Sequence, residues 1–158
     1  MRKIASFQID HLRLNPGLYV SRKDRFGETV LTTFDLRLKK PNVEPVIDMP
    51  ALHTLEHLGA TFLRSHADWA DRVVYFGPMG CRTGCYLILE GDLSSEDALP
   101  LVREMLDWII AFEGAIPGAA PAECGNWREQ NLDMAKWEAG RYAAILKNPA
   151  GENLNYPA

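Results

Sequence analysis

The order of segments along the 158-residue chain predicts an α+β domain: a single antiparallel sheet with helices packed on one face. Three observations carry this reading. Residues 28–40, ETVLTTFDLRLKK, alternate in polarity with a period of two, as a strand does. Leu52, Leu55, Leu58 and Phe62 recur at helical spacing. Two strand-like segments come first, then this helix, then two more strands and two more helices.

Taken in order, a first strand covers 17–22 and turns around 24–27. In the second, Val30, Thr32, Phe34, Leu36 and Leu38 share one face, and Thr33, Asp35, Arg37 and Lys39 the other, which predicts a strand buried on one side. Pro41, Pro45 and Pro50 punctuate a loop, and a helix follows over 50–65. Strands are predicted at 72–76 and 85–91, separated by Gly77-Pro-Met-Gly80. Ser94 or Ser95 caps the next helix, with Glu96 and Asp97 in its first turn; Pro100 places its start near Asp97. Leu101, Val102, Met105, Trp108, Ile109 and Phe112 form its apolar stripe, and Gly114 and Pro117-Gly118 end it. The last helix is predicted over 126–147, interrupted near Asn131, and 151–158 reads as a polar tail. No composition shift marks a boundary, so 1–158 reads as one domain.

The bulk properties narrow the function. A hydrophobic share of 47 % and a charged share of 24 % suit a soluble globular protein. A net charge of -4 gives no reason to expect nucleic acid or anionic lipid as a partner. No apolar run is long enough to span a bilayer, and Gln8, Asp10 and His11 interrupt any signal-peptide core. Three cysteines, Cys81, Cys85 and Cys124, do not make a disulfide framework; free thiols in a reducing cytoplasm are expected.

The stretch ALHTLEHLGA presents His53 and His57 one helical turn apart, with Glu56 beside them. Two imidazoles so placed are half of a zinc-type site, and the carboxylate can carry protons. A core helix with incidental histidines remains the plain alternative. The order H-x-x-E-H also matches the inverted metallopeptidase motif, which needs a glutamate downstream. The downstream segment is Pro121-Ala-Glu-Cys-Gly-Asn126, offering Cys124 with Glu123 adjacent. Cys124 is either a third metal donor or a small buried hydrophobe. In Pro78-Met-Gly-Cys-Arg-Thr-Gly84, Cys81 lies in a glycine-flanked loop beside Arg82, a setting for a reactive thiolate or for an inert turn cysteine. Cys85 opens the next strand and is expected to pack.

Together these segments resemble one family, the S-ribosylhomocysteine lyases of LuxS type. The matching pieces are Ser6-Phe7 with Asp10-His11, Phe34-Asp-Leu-Arg37, His53-Thr-Leu-Glu-His57, Arg64-Ser-His-Ala67, Pro78-Met-Gly-Cys-Arg-Thr-Gly84 and Glu123-Cys-Gly125, in family order. Gly77 and Cys85 depart from it, where many members carry a serine and an aromatic. The resemblance implies metal ligands at His53, His57 and Cys124, an acid/base pair of Glu56 and Cys81, and a substrate pocket lined by Ser6, His11 and Arg37. It implies a fold related to the inverted-motif metallopeptidases and one divalent ion per subunit, Fe2+ in the cell with Zn2+ or Co2+ as substitutes. It further implies a homodimer with sites at the subunit interface. The implied reaction moves the ribose carbonyl from C1 to C3 and eliminates homocysteine, leaving 4,5-dihydroxy-2,3-pentanedione, the autoinducer-2 precursor. The small peptidase is the alternative.

Overall fold

The computed structural model describes residues 4 and 7–157. Four strands form one antiparallel sheet in the order β1-β2-β4-β3, where β1 is Gly17–Phe26, β2 Thr29–Arg37, β3 Val73–Pro78 and β4 Gly84–Glu90. The helices are α1 (Met49–Ser65), α2 (Ser95–Ala111) and α3 (Leu132–Lys147). The α+β arrangement expected from the sequence is therefore present.

Register explains which residues meet the helices. Phe34 pairs with Leu87 and Leu36 with Cys85 across β2 and β4, and all four are buried in the core with Leu55, Leu58, Met105 and Tyr142 from the helices. β1 runs to Phe26, beyond the expected 17–22, because Phe26 pairs with Thr29 across a two-residue turn. Gly27, at φ 63°, supplies the left-handed conformation such a turn requires.

The expectation that β2 has one buried face is corrected. Thr33, Asp35 and Arg37 on its polar face are 7 %, 0 % and 2 % exposed, and Lys39, two residues past its end, is 3 % exposed. Each charge is matched: Arg37 pairs with Asp35, and Lys39 with Glu138 of α3 at 2.6 Å. A pattern of alternating polarity reports the sign of the partner on each face, and a partner that is itself polar looks like water.

Two helix boundaries also differ from expectation. α2 starts at Ser95, earlier than Asp97, because Ser94 and Asp97 form a reciprocal capping box. Pro100 is tolerated because it lies exposed in the second turn, where the hydrogen bond it cannot make is to the solvent-side Glu96 carbonyl. α3 starts at Leu132, not 126, with Asn131 as its cap accepting from Met134 N–H at 3.1 Å. Arg103 of α2 caps its other end, donating to the carbonyls of Leu146 and Lys147, both at 2.8 Å. Replacing Ser94 by alanine is expected to lower stability by about 1 kcal/mol, read as a lower urea midpoint with unchanged slope; an unchanged midpoint would show the box to be ornamental.

Candidate metal centre and active site

α1 presents the two imidazoles. Asp48 caps its start, accepting from Ala51 N–H at 3.4 Å, and Pro50 suits the first turn. Leu52, Leu55 and Leu58 are buried against the core, which fixes the helix's rotation and turns His53 and His57 to one side. Their rings meet edge on, with centroids 4.6 Å apart and planes at 79°. The two Nε2 atoms are 3.0 Å apart, and Cys124 Sγ is 3.4 Å from His53 Nε2. All three donor atoms lie within 4.8 Å of one another, each residue half-buried.

The outer ring nitrogens set this orientation. His53 Nδ1 faces the Glu129 carbonyl at 2.9 Å and His57 Nδ1 the Pro117 carbonyl at 2.7 Å. A carbonyl only accepts, so each Nδ1 carries the proton and each Nε2 presents a lone pair. Two lone pairs and a sulfur turned toward one another repel unless a cation lies among them. A tetrahedral ion would set the nitrogens about 3.3 Å apart and nitrogen from sulfur about 3.6 Å. The donor set therefore fits a divalent ion with three protein ligands and one open position. Gly118, at φ 72°, lets the loop curl under His57; a Cβ there would lie 3.1 Å from the His57 Nδ1. Loop 126–131 is tied to α1 as well, since Thr54 Oγ1 accepts from Asn131 N–H at 2.9 Å and contacts Gln130 at 2.7 Å.

A second cluster surrounds Cys81, in the loop between β3 and β4. Arg82 sits at φ 58° and its carbonyl accepts from Ile47 N–H at 3.0 Å; the Thr83 carbonyl accepts from Leu38 and Lys39, both at 3.0 Å. So laced, the loop exposes the Cys81 thiol 3.1 Å from Thr83 Oγ1 and 3.8 Å from Arg37 Nη1. Arg37 also donates to Thr83 Oγ1 and to Asp35 Oδ2, each at 2.6 Å. Partial burial disfavours the thiolate. The Thr83 hydroxyl and backbone N–H, together with the Arg37 charge, outweigh it and hold Cys81 below its ordinary thiol value.

His11 is half-buried, its Nδ1 2.9 Å from the Ile9 carbonyl, and its charge is felt at Asp35. Glu56 lies half-buried on α1 beside His57. Cys85 is packed in the core as expected, and burial, with the charges of Glu56 and Asp35 behind it, pushes its thiol up to about 12. Ser6 lies outside the described residues. Gly77 is covered by the Tyr75 hydroxyl, which occupies the space a side chain would need.

The structure thus brings His53, His57 and Cys124 together in one group and Arg37 and Cys81 in another, with His11 connected to the second only through its electrostatic effect on Asp35. Sequence reasoning passed over Asp35 and Thr83, which brace Arg37, and the Glu129 and Pro117 carbonyls, which aim the imidazoles. Among the described residues the third donor is a thiol, while Glu123 is exposed and outside the group, so the peptidase alternative finds no support.

A family model described as S-Ribosylhomocysteinase (LuxS) matches residues 4–151. The chain is similar to a protein from Clostridium acetobutylicum named S-ribosylhomocysteine lyase, 56 % identical over 157 residues and 99 % of both chains. Proteins of the same name from Borreliella burgdorferi (strain ZS7) and Desulfotalea psychrophila are 55 % and 57 % identical, covering 99 % and 100 % of this chain and all of each relative.

Proposed function

The chain belongs to the S-ribosylhomocysteinase (LuxS) family, and from that premise we propose that it cleaves S-ribosylhomocysteine to homocysteine and 4,5-dihydroxy-2,3-pentanedione. The observation that carries this reading is the convergence of His53, His57 and Cys124 within 4.8 Å. The sugar's carbonyl is relocated internally, from C1 through C2 to C3, so no redox partner is consumed. Once the carbonyl is β to the sulfur-bearing carbon, loss of a proton and expulsion of the thiolate balance the elimination.

His53, His57 and Cys124 hold the ion. When bound, a divalent metal polarises the migrating carbonyl and steadies the negative charge that develops on oxygen. Glu56 and Cys81 move protons along the carbon chain, a task worth roughly 10²–10⁴ in rate for a well-placed group. The lowered thiol supports Cys81 as a base, since more of it is ionised at neutral pH. Arg37 is 2 % exposed and its hydrogen bonds go to Asp35, Thr83 and the Cys81 sulfur. This supports a wall that sustains the Cys81 thiolate over direct pairing with a substrate carboxylate. Ser6 and His11 are assigned to the sugar hydroxyls.

A homodimer with the sites at its interface completes the reading. It is supported by the apolar side chains left in water, Ile4 at 57 %, Phe7 at 71 % and Leu12 at 78 % exposure, and by a cleft of about 300 Å³ on the outer sheet face. That cleft is lined by Ile4, Thr33, Tyr75, Tyr86 and Ile88 among others. We assign ferrous iron as the cellular metal, with zinc or cobalt as substitutes, and the cytoplasm as the compartment. Among the described residues no helix is long and apolar enough to cross a membrane. The dihydroxypentanedione formed is the autoinducer-2 precursor, and the other product is homocysteine.

The deciding experiment supplies S-ribosylhomocysteine to the metal-loaded protein, beside a generic peptide, and follows free thiol. Thiol release without peptide cleavage is expected. Peptide cleavage with no thiol release would replace this reading with the peptidase.

A further inference from the structure

We propose that the C-terminal segment 151–157 positions the active-site thiol: the Tyr156 hydroxyl holds Asp35 so that Arg37 offers one guanidinium nitrogen to Cys81 rather than closing a two-point pair with the carboxylate. This rests on the reading of Cys81 as an acid/base residue.

Asp35 Oδ2 accepts twice, from Arg37 Nη2 at 2.6 Å and from the Tyr156 hydroxyl at 2.8 Å. Asp35 Oδ1 and Arg37 Nε are buried and have no hydrogen-bond partner among the described residues. A guanidinium and a carboxylate ordinarily close two parallel hydrogen bonds, and these two idle atoms are the ones a second bond would join. Leaving both unpaired in the interior is costly, so the one-point geometry must be held from outside the pair. It is held from two sides. Thr83 Oγ1 draws Nη1 toward the Cys81 loop at 2.6 Å, and Tyr156 occupies the carboxylate from the tail. With Nη1 so drawn, Cys81 Sγ lies 3.8 Å from it.

The tail is anchored well enough for this. The Tyr156 ring stacks on Tyr19 with centroids 4.7 Å apart and planes at 17°. The Tyr19 hydroxyl shares its proton between the Asn15 and Glu152 carbonyls at 2.8 and 2.9 Å, Asn153 donates to the Pro16 carbonyl at 2.9 Å, and Ser95 donates to the Leu154 carbonyl at 3.0 Å. What reads in the sequence as a polar tail is a strap fixed to β1 and α2, with Tyr156 at its working end.

The titratable groups that face this cluster are Tyr19 on β1, Cys85 and Tyr86 on β4, Tyr142 on α3, and His11 in the N-terminal segment, besides Asp35, Arg37 and Tyr156. The phenols and Cys85 are all raised by burial first. Near neutrality they stay uncharged.

The test uses the full chain carrying Tyr156→Phe, which keeps the ring on Tyr19 and removes the hydroxyl, and a second variant lacking residues 155–158. The rate of Cys81 alkylation by iodoacetamide is followed against pH, with the modified residue assigned by peptide mass spectrometry. In both variants Arg37 is expected to close on Asp35 and leave the thiol, so the midpoint of the profile rises by about one pH unit. The kcat for S-ribosylhomocysteine falls roughly tenfold while KM stays within about twofold. A midpoint unchanged or lowered in both variants, whether or not the melting temperature falls, would overturn the proposal and leave the strap a purely structural element. Alkylation needs no substrate, so this outcome is separate from a failure of the parent protein to release thiol, which would sink the assignment of function instead.

Discussion

Replacing Cys124 by alanine is expected to strip the protein of its metal and abolish thiol release from S-ribosylhomocysteine. Cys124 supplies the sulfur of the group and the only donor in it that is anionic when bound. Without it two neutral imidazoles remain, with Nε2 atoms 3.0 Å apart. Losing even an outer partner of a metal ligand costs roughly 10–100-fold in affinity, and losing a ligand outright costs more. Cys124 lies half-buried in a loop, so the fold should survive the change. The measurement is metal content per subunit after dialysis against a mild chelator, with circular dichroism as the check on folding. A variant that keeps a full complement of metal would refute the ligand set, and with it the observation on which the functional reading stands.

Much of this site could be read from the sequence because its parts are local. His53, Glu56 and His57 share one helix, and a helix converts spacing into direction. The Cys81 loop declares itself by glycines at 80 and 84. Cys124 was harder: it is 71 positions from His53, and only the shape of the fold shows that its sulfur comes within 3.4 Å of the ring. What could not be read is the shell behind these groups. The carbonyls of Glu129 and Pro117 belong to the backbone, and every residue has one, so no residue type signals them. Asp35 and Tyr156 are 121 positions apart and meet only when the tail folds back across the sheet. The same blindness explains the error on β2. Asp35 and Arg37 look like a wetted face until Tyr156 covers one and Thr83 engages the other. The start of α3 failed for a related reason, since 126–131 spends its polar groups on α1 through Thr54 and His53 instead of on a further helical turn.

Cys81→Ala should do the reverse of the Cys124 change, abolishing turnover while leaving the metal in place. The two cysteines belong to different groups: Cys124 faces His53, whereas Cys81 contacts Thr83 and Arg37. Removing the Cys81 thiol therefore leaves every metal donor untouched. On the proposed assignment it removes a proton carrier, worth roughly 10²–10⁴ in rate per step it serves. Carbonyl migration and elimination need several such transfers, so the loss should approach complete inactivity. On the same assignment this thiol is expected to set the acid side of the parent's pH profile. A thiol held below its ordinary value delivers its base form from a lower pH, so kcat/KM should fall only as pH drops through that lowered value. Thiol release against pH, metal analysis and circular dichroism on the same samples check all of this. Loss of metal in Cys81→Ala, or retention of more than a few per cent of activity, would move Cys81 out of the chemistry. The acid/base work would then fall to Glu56 alone.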